Sequence, residues 1–447
     1  AGNGGQVIAA YLKLKGKQVT LYDRFSQVLE PIRRRGGIQL EGVSDTGFAK
    51  LDLVTEDVPQ AVQGAEVIFV VLPAFAHAYV AQQLAGCLTD GQTVVVCPGA
   101  TGGALEFRAV WDRAGCTAKV RLCETNSLFY AARASDGVAT ISGVKDELSL
   151  AALPAADTRG IIDDLADVYP QLIPAANVLE TSLNNMNTVV HPLPVLLNAG
   201  RIESGEQYRH YMDGITPSIG DLIEQMDQER LAVGRAYGLD ILSLRDAYVH
   251  YYHVQAEKMS DLCHLSTAHA GIMAPTKLDS RLIVEDVPMG LVPISALGKA
   301  AGVPTPIIDS VITLAGALVK QDFWRTGRTL KSLNIAGLTR EELLARLRVT
   351  QRRLLLIKTD TAQESPIFTN GALKIDYAAG CAYLDHAELH LTPIEYKLLC
   401  LLSKNVGKVL THTYITQQIW GSSWENDIAS LRVFMATLRK KLERGKD

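Results

Sequence analysis

Short apolar runs alternate with amphipathic stretches over about the first 145 residues of the chain. Apolar runs lie at residues 18–22, 67–72, 93–97 and 119–123, and stretches with helical spacing lie at residues 6–15, 25–34 and 76–84. Strands that are almost entirely apolar are typical of a parallel sheet with helices packed on both faces. The pattern predicts an α/β domain built on a buried parallel sheet.

The pattern changes near residue 182. Longer stretches with helical spacing lie at residues 182–197, 218–237 and 306–319, and they predict a separate, mostly helical domain. Residues 350–369 are polar and lack a clear period, which is typical of a linker, whereas residues 392–442 are again helical. The predicted domains are 1–181, 182–345, a connecting segment 346–370, and 371–447.

A glycine-rich segment opens the chain directly before the first amphipathic stretch. It consists of Gly2, Asn3, Gly4 and Gly5, and with one preceding glycine it would read as a GxGxxG loop. In Rossmann domains such a loop lets the backbone approach a pyrophosphate at a helix N-terminus. The segment predicts dinucleotide binding, with an ordinary glycine-rich turn as the alternative.

The residues after the second apolar run bear on the choice of cofactor. Asp23 follows Gly2 by 21 residues, where an acidic side chain bonds the ribose 2′-hydroxyl and favours NAD. Arg24 could instead bind a 2′-phosphate, so NADP stays open. Two further loops follow apolar strands and are expected to face the cofactor, because ligands bind at the carboxyl ends of such strands. They contain Leu72 and Pro73 in one case and Gly99 in the other.

The strand that should precede the glycine loop is not in the sequence, which starts at Ala1. It would be central, and burying about five apolar residues at roughly 1.5–3 kcal/mol each is comparable to a typical net stability of about 5–15 kcal/mol. We therefore expect the natural protein to have residues before Ala1. Restoring an apolar strand and a glycine should raise the melting temperature and the affinity for NADH.

Three residues of the helical region have side chains suited to acid/base chemistry and carboxylate binding. His191, followed by a proline, is a candidate general acid and base near neutral pH. Arg281 offers a bidentate fork for a carboxylate, and Asp286 could hold the His191 ring. The alternatives are an ordinary core or surface histidine at residue 191 and a surface ion pair between Arg281 and Asp286. The sequence alone cannot place His191 and Asp286 in contact, because 95 residues separate them.

Several motifs between Ala1 and about residue 347 resemble the octopine/nopaline (opine) dehydrogenase family. They are the opening glycines, Pro98-Gly99…Gly102-Gly103, Glu124-Thr125-Asn126 with Tyr130 and Arg133, Asn187…His191-Pro192, Arg281…Asp286 and Arg328-Thr329-Leu330-Lys331-Ser332-Leu333. The resemblance implies a Rossmann domain followed by an all-helical domain. It also implies that His191, Arg281 and Asp286 are catalytic, and it offers Thr125, Asn126 and Tyr130 as weaker candidates for substrate contacts.

The reaction that this resemblance implies is a reductive condensation. An amino acid and a 2-oxo acid such as pyruvate form an imine, and NAD(P)H reduces it to a secondary amine. In that reaction Arg281 would hold the carboxylate of the 2-oxo acid, His191 would transfer protons, and Asp286 would orient His191.

The C-terminal segment resembles the OmpR/PhoB-type winged-helix domain of response regulators such as KdpE. The resemblance rests on residues 391–399, 407–410 and 419–420 and on a basic helix near 426–442. It implies DNA contacts by Arg432, Thr437 and Arg439. The segment has no receiver domain, and the sequence stops before a C-terminal wing, so we expect an incomplete domain with weak or lost, salt-sensitive DNA binding.

Charge and cysteine usage add little to this division. Residues 391–447 contain nine Lys and Arg against five Asp and Glu, whereas the whole chain has a net charge of −4. The seven cysteines form no CxxC pair, which favours buried thiols in a reducing cytoplasm over a zinc site. The longest apolar stretch, residues 67–81, is too short to span a bilayer, so no membrane contact is expected. The sequence leaves open whether the chain forms a homodimer.

Three other interpretations compete with an opine-type dehydrogenase. One is a DNA-binding regulator gated by redox state or a metabolite, and another is a reductase of the 2-ketopantoate type. The third is a merger of two gene fragments near residues 341–347, which is compatible with a dehydrogenase. Oxidation of NADH that needs no amine would favour the keto-acid reductase.

Overall fold

The computed structural model describes residues 1–348, 367–376, 381–385, 387–389, 391–403, 405–406, 410–420 and 425–442. It divides into two compact units, residues 1–351 and residues 352–447. Most of the predicted linker, residues 349–366, and residues 407–409 of the C-terminal motif lie outside the described part. The finer boundaries at 181, 345 and 370 stay predictions.

A five-stranded sheet forms the centre of the first half of unit 1. Its strands, in spatial order, are Leu172–Pro174, Leu148–Ala152, Arg121–Thr125, Thr93–Val96 and Val67–Val70. Strands Val67–Val70, Thr93–Val96 and Arg121–Thr125 run parallel, and Leu148–Ala152 pairs antiparallel to the last of them. The sheet is therefore mixed rather than all parallel. Strand Thr20–Tyr22 pairs with Leu53–Thr55 in a separate two-stranded sheet.

A further four-stranded sheet consists of Gly47–Ala49, Ile38–Gly42, Val138–Val144 and Tyr130–Ser135 in spatial order. Its hairpin turns at Asp136 and Gly137, both of which have positive φ angles of 52° and 74°. This backbone is that of a type I′ turn, which favours Asp-Gly. The helices of this half are Asn3–Leu14, Ser26–Arg35, Val58–Val62, His77–Ala85, Gly103–Arg113 and Thr158–Leu165.

The second half of unit 1 is helical, as the sequence predicted. Its helices are Val178–Leu183, Asn187–Val190, Pro192–Leu197, Ala199–Glu203, Pro217–Ala236, Leu244–Tyr252, Met259–Leu265, Arg281–Val284, Val292–Ala300, Pro306–Val319, Phe323–Thr326 and Arg340–Arg348, with a π-helical turn at Val287–Leu291. The single helix predicted at 182–197 is wrong. Three short helices replace it, because a helix cannot pass residue 191 unbroken when Pro192 and Pro194 follow.

Unit 2 combines strands Ile367–Asn370, Leu373–Asp376, Cys381–Leu384 and Ala387–Glu388 with helices Pro393–Ser403, His412–Trp420 and Glu425–Leu442. The strands pair antiparallel in sequence order. Ile375, Ala382, Leu398, Ile415 and Leu431 are among the residues of its own buried core. The last two helices match the pair that the sequence predicted.

Candidate active site

The opening glycines lie where helix Asn3–Leu14 begins, and Gly2 is its N-cap. A Cβ at Gly4 would lie 3.0 Å from Cγ1 of Val71, whereas a Cβ at Gly2 would meet no atom within 4 Å. Gly4 is thus packed closely against Val71, and Gly2 has open space beside a helix N-terminus. Both features fit a pyrophosphate, whose charge the free backbone N–H groups would hold.

Asp23 and Arg24 lie at the carboxyl end of strand Thr20–Tyr22. Oδ1 of Asp23 accepts a hydrogen bond from the backbone N–H of Phe25. The Arg24 guanidinium lies over the rings of Phe25 and Tyr79, at 4.7 and 4.9 Å from their centroids. The acid and the base predicted for the ribose end are therefore adjacent, and both lie at the strand end where a cofactor ribose is expected.

The two other predicted cofactor loops are held in place by buried carboxylates. Beyond Leu72 and Pro73, the backbone N–H of Ala74 donates to Oε1 of Glu285 at 2.9 Å. A Cβ at Gly99 would overlap the carboxylate of Glu124, so only glycine fits there. Burial raises the pKa of both carboxyl groups, Glu124 and Glu285.

Arg328 connects these loops from the far end of unit 1. Its fully buried guanidinium donates to the backbone oxygens of Gly99, Thr101 and Ala74, at 3.0, 3.1 and 3.3 Å. It also forms a 2.7 Å ion pair with Glu106 and donates to Nδ1 of His77. One side chain thus fixes the relative position of two loops at the carboxyl edge of the sheet.

His191 and Asp286, which the sequence offered only as a possible pair, are in contact. Nδ1 of His191 lies 2.8 Å from Oδ2 of Asp286, and Nε2 lies 2.9 Å from the hydroxyl of Tyr211. The carboxylate fixes Nδ1 as the protonated nitrogen, so Nε2 accepts from the tyrosine when the ring is neutral. The side chains of His191 and Asp286 retain 15% and 13% exposure, which leaves the pair accessible to a ligand.

Arg281 lies on the same segment as Asp286 but points toward solvent. Its side chain is 67% exposed, and its Nε forms a 3.3 Å ion pair with Glu285. Because Glu285 also accepts from Ala74, Arg281 is joined through one carboxylate to a loop of the cofactor domain. Most of the Arg281 side chain is thus accessible to a carboxylate ligand.

A polar cavity of about 60 Å³ lies beside the His191 pair. Its walls include Asn126, Lys145, Asn184, Asn185, Asn187, Tyr211, Tyr248, Tyr251, Tyr252 and His269. Of the three weaker substrate candidates, Asn126 lines this cavity. Thr125 is buried and donates to the backbone oxygen of Ser127. Tyr130 packs on Tyr11 in the core, so the structure does not bring it to the cavity.

Two more imidazoles surround Tyr211. His210 is 1% exposed, and burial lowers its pKa to about 3. His269 stacks on the Tyr211 ring at 4.3 Å, and burial, followed by the charges of His191 and Lys145, lowers its pKa to about 4. Both rings are therefore neutral at pH 7, and His191 is the member of the group that has a carboxylate partner.

Sequence reasoning missed Tyr211, Glu285 and Lys145 and gave no role to Arg328. Glu285 carried a signal, since it lies inside the Arg281–Asp286 motif. Tyr211 and Lys145 carried none, because their neighbours in the site come from distant parts of the chain.

In unit 2, the three residues predicted to contact DNA lie on helix Glu425–Leu442. Arg432, Thr437 and Arg439 are all exposed. Arg432 and Arg439 border a groove of about 410 Å³ that Leu402, Ile415 and Met435 also line. The two arginines thus share one accessible side of this helix.

Within the described residues, no group of three or more histidine, cysteine, aspartate or glutamate side chains is arranged to hold a metal ion. In the same residues no helix is both long and apolar enough to cross a membrane.

The fold and the His–Asp pair define a two-domain NAD(P)-dependent dehydrogenase. A family model described as the α-helical domain of NAD/NADP octopine/nopaline dehydrogenase matches residues 174–319, and one described as ketopantoate reductase PanE/ApbA matches residues 1–124. The chain is 42% identical over 339 residues to an opine dehydrogenase of Arthrobacter sp. (strain 1C), which covers 76% of this chain and 94% of the relative. The chain therefore belongs to the opine dehydrogenase family and is an NAD(P)-dependent oxidoreductase acting on CH–NH groups.

Further relatives agree with this membership. Vitopine synthase of Allorhizobium ampelinum is 26% identical over 319 residues, with 68% of this chain and 84% of the relative covered. The fold matches octopine dehydrogenase solved with NADH and L-arginine, at a TM-score of 0.64, 20% identity and coverage of 77% and 96%. It also matches yersinopine dehydrogenase bound to NADP⁺, at a TM-score of 0.60, 15% identity and coverage of 78% and 96%.

The C-terminal segment has different relatives. A family model for the C-terminal part of transcriptional regulatory proteins matches residues 386–447. KdpE of Staphylococcus aureus (strain NCTC 8325 / PS 47) is 42% identical over 102 residues, which are 23% of this chain. The match spans less than half, 42%, of that relative's length. The predicted union of an opine dehydrogenase with a response-regulator DNA-binding segment is confirmed.

Proposed function

We propose that this chain condenses the amine of an amino acid with a 2-oxo acid such as pyruvate, and that the same site also runs the reverse oxidation. The observation that carries the proposal is the His191–Asp286 pair, which is partly exposed and lies in the helical half of a family whose members act on such substrates. Octopine dehydrogenase has been solved with NADH and L-arginine and with NADH and pyruvate.

Two steps of the reaction need proton transfer, and His191 is suited to both. Attack of the amine on the carbonyl carbon forms a C–N bond as the C=O π bond breaks, and the doubly protonated form of the His191 ring donates its Nε2 proton to the alkoxide oxygen. Loss of water from that carbinolamine then needs the same nitrogen to donate again, after it has taken a proton from the amine. Asp286 keeps Nδ1 protonated, so Nε2 exchanges the protons, and the Tyr211 hydroxyl is its resting partner.

The cofactor would be held by the loop from Gly2 to Gly5, by Asp23 at the ribose and by the backbone around Pro73 and Gly99. When bound, NAD(P)H supplies the hydride that reduces the imine carbon. Asp23 favours NAD, and Arg24 between two aromatic rings allows NADP. Arg281 would hold the carboxylate of the 2-oxo acid, and the proximity of the two substrates would supply much of the rate.

The test is oxidation of NADH and of NADPH with pyruvate against a panel of amino acids. We expect oxidation that requires an amino acid and yields a secondary amine dicarboxylic acid, which mass spectrometry detects. Oxidation of equal rate without any amine would instead show a simple keto-acid reductase. The family model for ketopantoate reductases covers only residues 1–124, so the helical half favours the condensation.

We further propose that unit 2 binds DNA through Arg432, Thr437 and Arg439, since these residues are exposed on the helix that matches the regulator family.

A reducing, cytoplasmic location suits the thiols of Cys87, Cys97, Cys116, Cys123 and Cys263, all of which are free. We also propose that the chain forms a homodimer, which light scattering of the purified chain tests.

A further inference from the structure

Lys145 is the charged residue of the polar cavity, and its ammonium has no ion-pair partner among the described residues. It directly follows strand Val138–Val144 and lines the cavity with Asn126 and His269. Its Nζ lies 5.1 Å from the centroid of the Tyr251 ring. Burial lowers the pKa of Lys145.

The other walls of the cavity combine asparagines, tyrosines and His269 with apolar side chains such as Leu244 and Ala247. No aspartate or glutamate is among the described residues that line it. Oδ1 of Asn126 accepts from the backbone N–H of Ser149, and Oδ1 of Asn184 accepts from that of Leu242. Each of these amide oxygens therefore already accepts one hydrogen bond, and the NH₂ groups of the cavity asparagines can donate to a ligand, although Asn126 also bonds to Tyr251. An unpaired cation with amide donors is suited to a carboxylate.

The cavity lies next to the reacting centre but is separated from it by one side chain. The Tyr211 hydroxyl contacts Nε2 of His191, while the same tyrosine lines the cavity and stacks on His269. A water needs roughly 10–15 Å³ of such space, so a cavity of about 60 Å³ holds a group of several atoms.

We infer that Lys145 and the asparagines beside it bind a second, distal carboxylate of a substrate, so that this enzyme prefers a dicarboxylic substrate. The inference rests on the proposed condensation. Two substrates could carry that carboxylate: an amino acid with an acidic side chain, or a dicarboxylic 2-oxo acid. The chemistry recognised is the same in both cases, and the source is decided by measurement.

The test compares kcat/KM for matched substrates in two arms. The first arm is glutamate against glutamine with pyruvate, and the second is 2-oxoglutarate against 2-oxopentanoate with alanine. We expect a preference of at least tenfold for the dicarboxylic member in one arm. Lys145→Met should remove that preference, and Lys145→Arg should retain most of it. Lys119→Met, at an exposed lysine, is the control and should change neither arm.

Calorimetric binding of glutarate, compared with pentanoate, tests the same site without turnover. Glutarate should bind the wild-type enzyme and bind Lys145→Met at least tenfold more weakly, while the Kd for NADH is unchanged. Three results would overturn the inference. In Lys145→Met, kcat/KM could fall equally for all substrates, or the dicarboxylate preference could survive. In the wild type, there could be no dicarboxylate preference at all. If no amine-dependent oxidation occurs with any substrate, the proposed function fails, and the glutarate measurement still decides the role of Lys145.

Discussion

At the scale of single residues, the site is built from groups whose neighbours decide their protonation. His191 has a carboxylate at Nδ1 and a hydroxyl at Nε2, whereas His210 and His269, close by, are kept neutral by burial. Three imidazoles around one tyrosine thus have different roles. The sequence identified His191 and Asp286 from their residue types and family resemblance, but only the fold could bring them within 2.8 Å across 95 residues.

Replacing His191 tests its role in proton transfer directly. His191→Ala should lower kcat by roughly 10²–10⁴-fold, the usual contribution of a positioned acid or base. The Kd for NADH should stay within twofold, since the loop from Gly2 to Gly5 and not His191 is proposed to hold the cofactor. Asp286→Asn should lower kcat as well, because the ring loses its fixed tautomer. His250→Ala, at an exposed histidine, is the control, and an active His191→Ala enzyme would refute the assignment.

Acid stability should depend on His210. Its folded-state pKa of about 3 lies below an unfolded value of about 6.5, so the unfolded chain binds more protons in that interval. The stabilisation from keeping His210 neutral is therefore fully present well above pH 6.5 and is lost as pH falls toward 3, by up to about 1.4 kcal/mol per pH unit. His210→Asn should flatten that loss in urea unfolding at pH 7, 6 and 5, while His250→Asn should leave it unchanged. Parallel curves for His210→Asn and the wild type would contradict the prediction.

At the scale of elements, the sequence located most strands and helices but not how they combine. The apolar runs at 67–72, 93–97 and 119–123 correspond to strands of one sheet. They could be predicted because a buried strand is recognised from its own apolar residues, without knowledge of the strands that it pairs with. The antiparallel strand Leu148–Ala152 was not predicted, since its pairing depends on distant residues. The hairpin at Asp136 and Gly137 did carry a local signal, the Asp-Gly pair of a type I′ turn.

Arg328 holds two loops at the edge of the sheet, so its replacement should change both stability and cofactor binding. Arg328→Met should leave Glu106 buried without its partner and three backbone oxygens without a donor, at a cost of about 3–5 kcal/mol for the broken pair alone. Because the freed oxygens belong to loops proposed to face the cofactor, the Kd for NADH should rise more than the KM for pyruvate.

A double variant separates the effect of the buried Glu106 charge from the effect of Arg328 on the position of the two loops. Arg328→Met with Glu106→Gln removes the uncompensated carboxylate, so the melting temperature should recover in part. The Kd for NADH should stay raised, since the oxygens of Gly99, Thr101 and Ala74 still lack a donor. A full recovery of NADH affinity in the double variant would show that Arg328 acts through stability only.

At the scale of the whole molecule, two units with unrelated relatives share one chain. The boundary at residues 351 and 352 lies just after helix Arg340–Arg348, whose Leu343 and Leu347 are buried in the core of unit 1. Each unit has its own buried core and its own candidate binding residues. The sequence separated the two because their motifs and charge differ, with nine basic against five acidic residues over 391–447.

DNA binding by the full chain decides whether the two units work together. We expect binding to duplex DNA that weakens with salt, because neutralised phosphates release counterions, and Arg439→Ala should reduce the salt slope by about one. Arg159→Ala, at an exposed arginine of unit 1, is the matched control. A ligand shifts an equilibrium only by its differential affinity for two states, so saturating NADH should leave the DNA affinity unchanged if the units are independent. A change of tenfold or more in DNA affinity with NADH would instead establish a DNA-binding regulator gated by the cofactor. DNA affinity that changes neither with salt nor in Arg439→Ala would exclude this helix as the DNA contact.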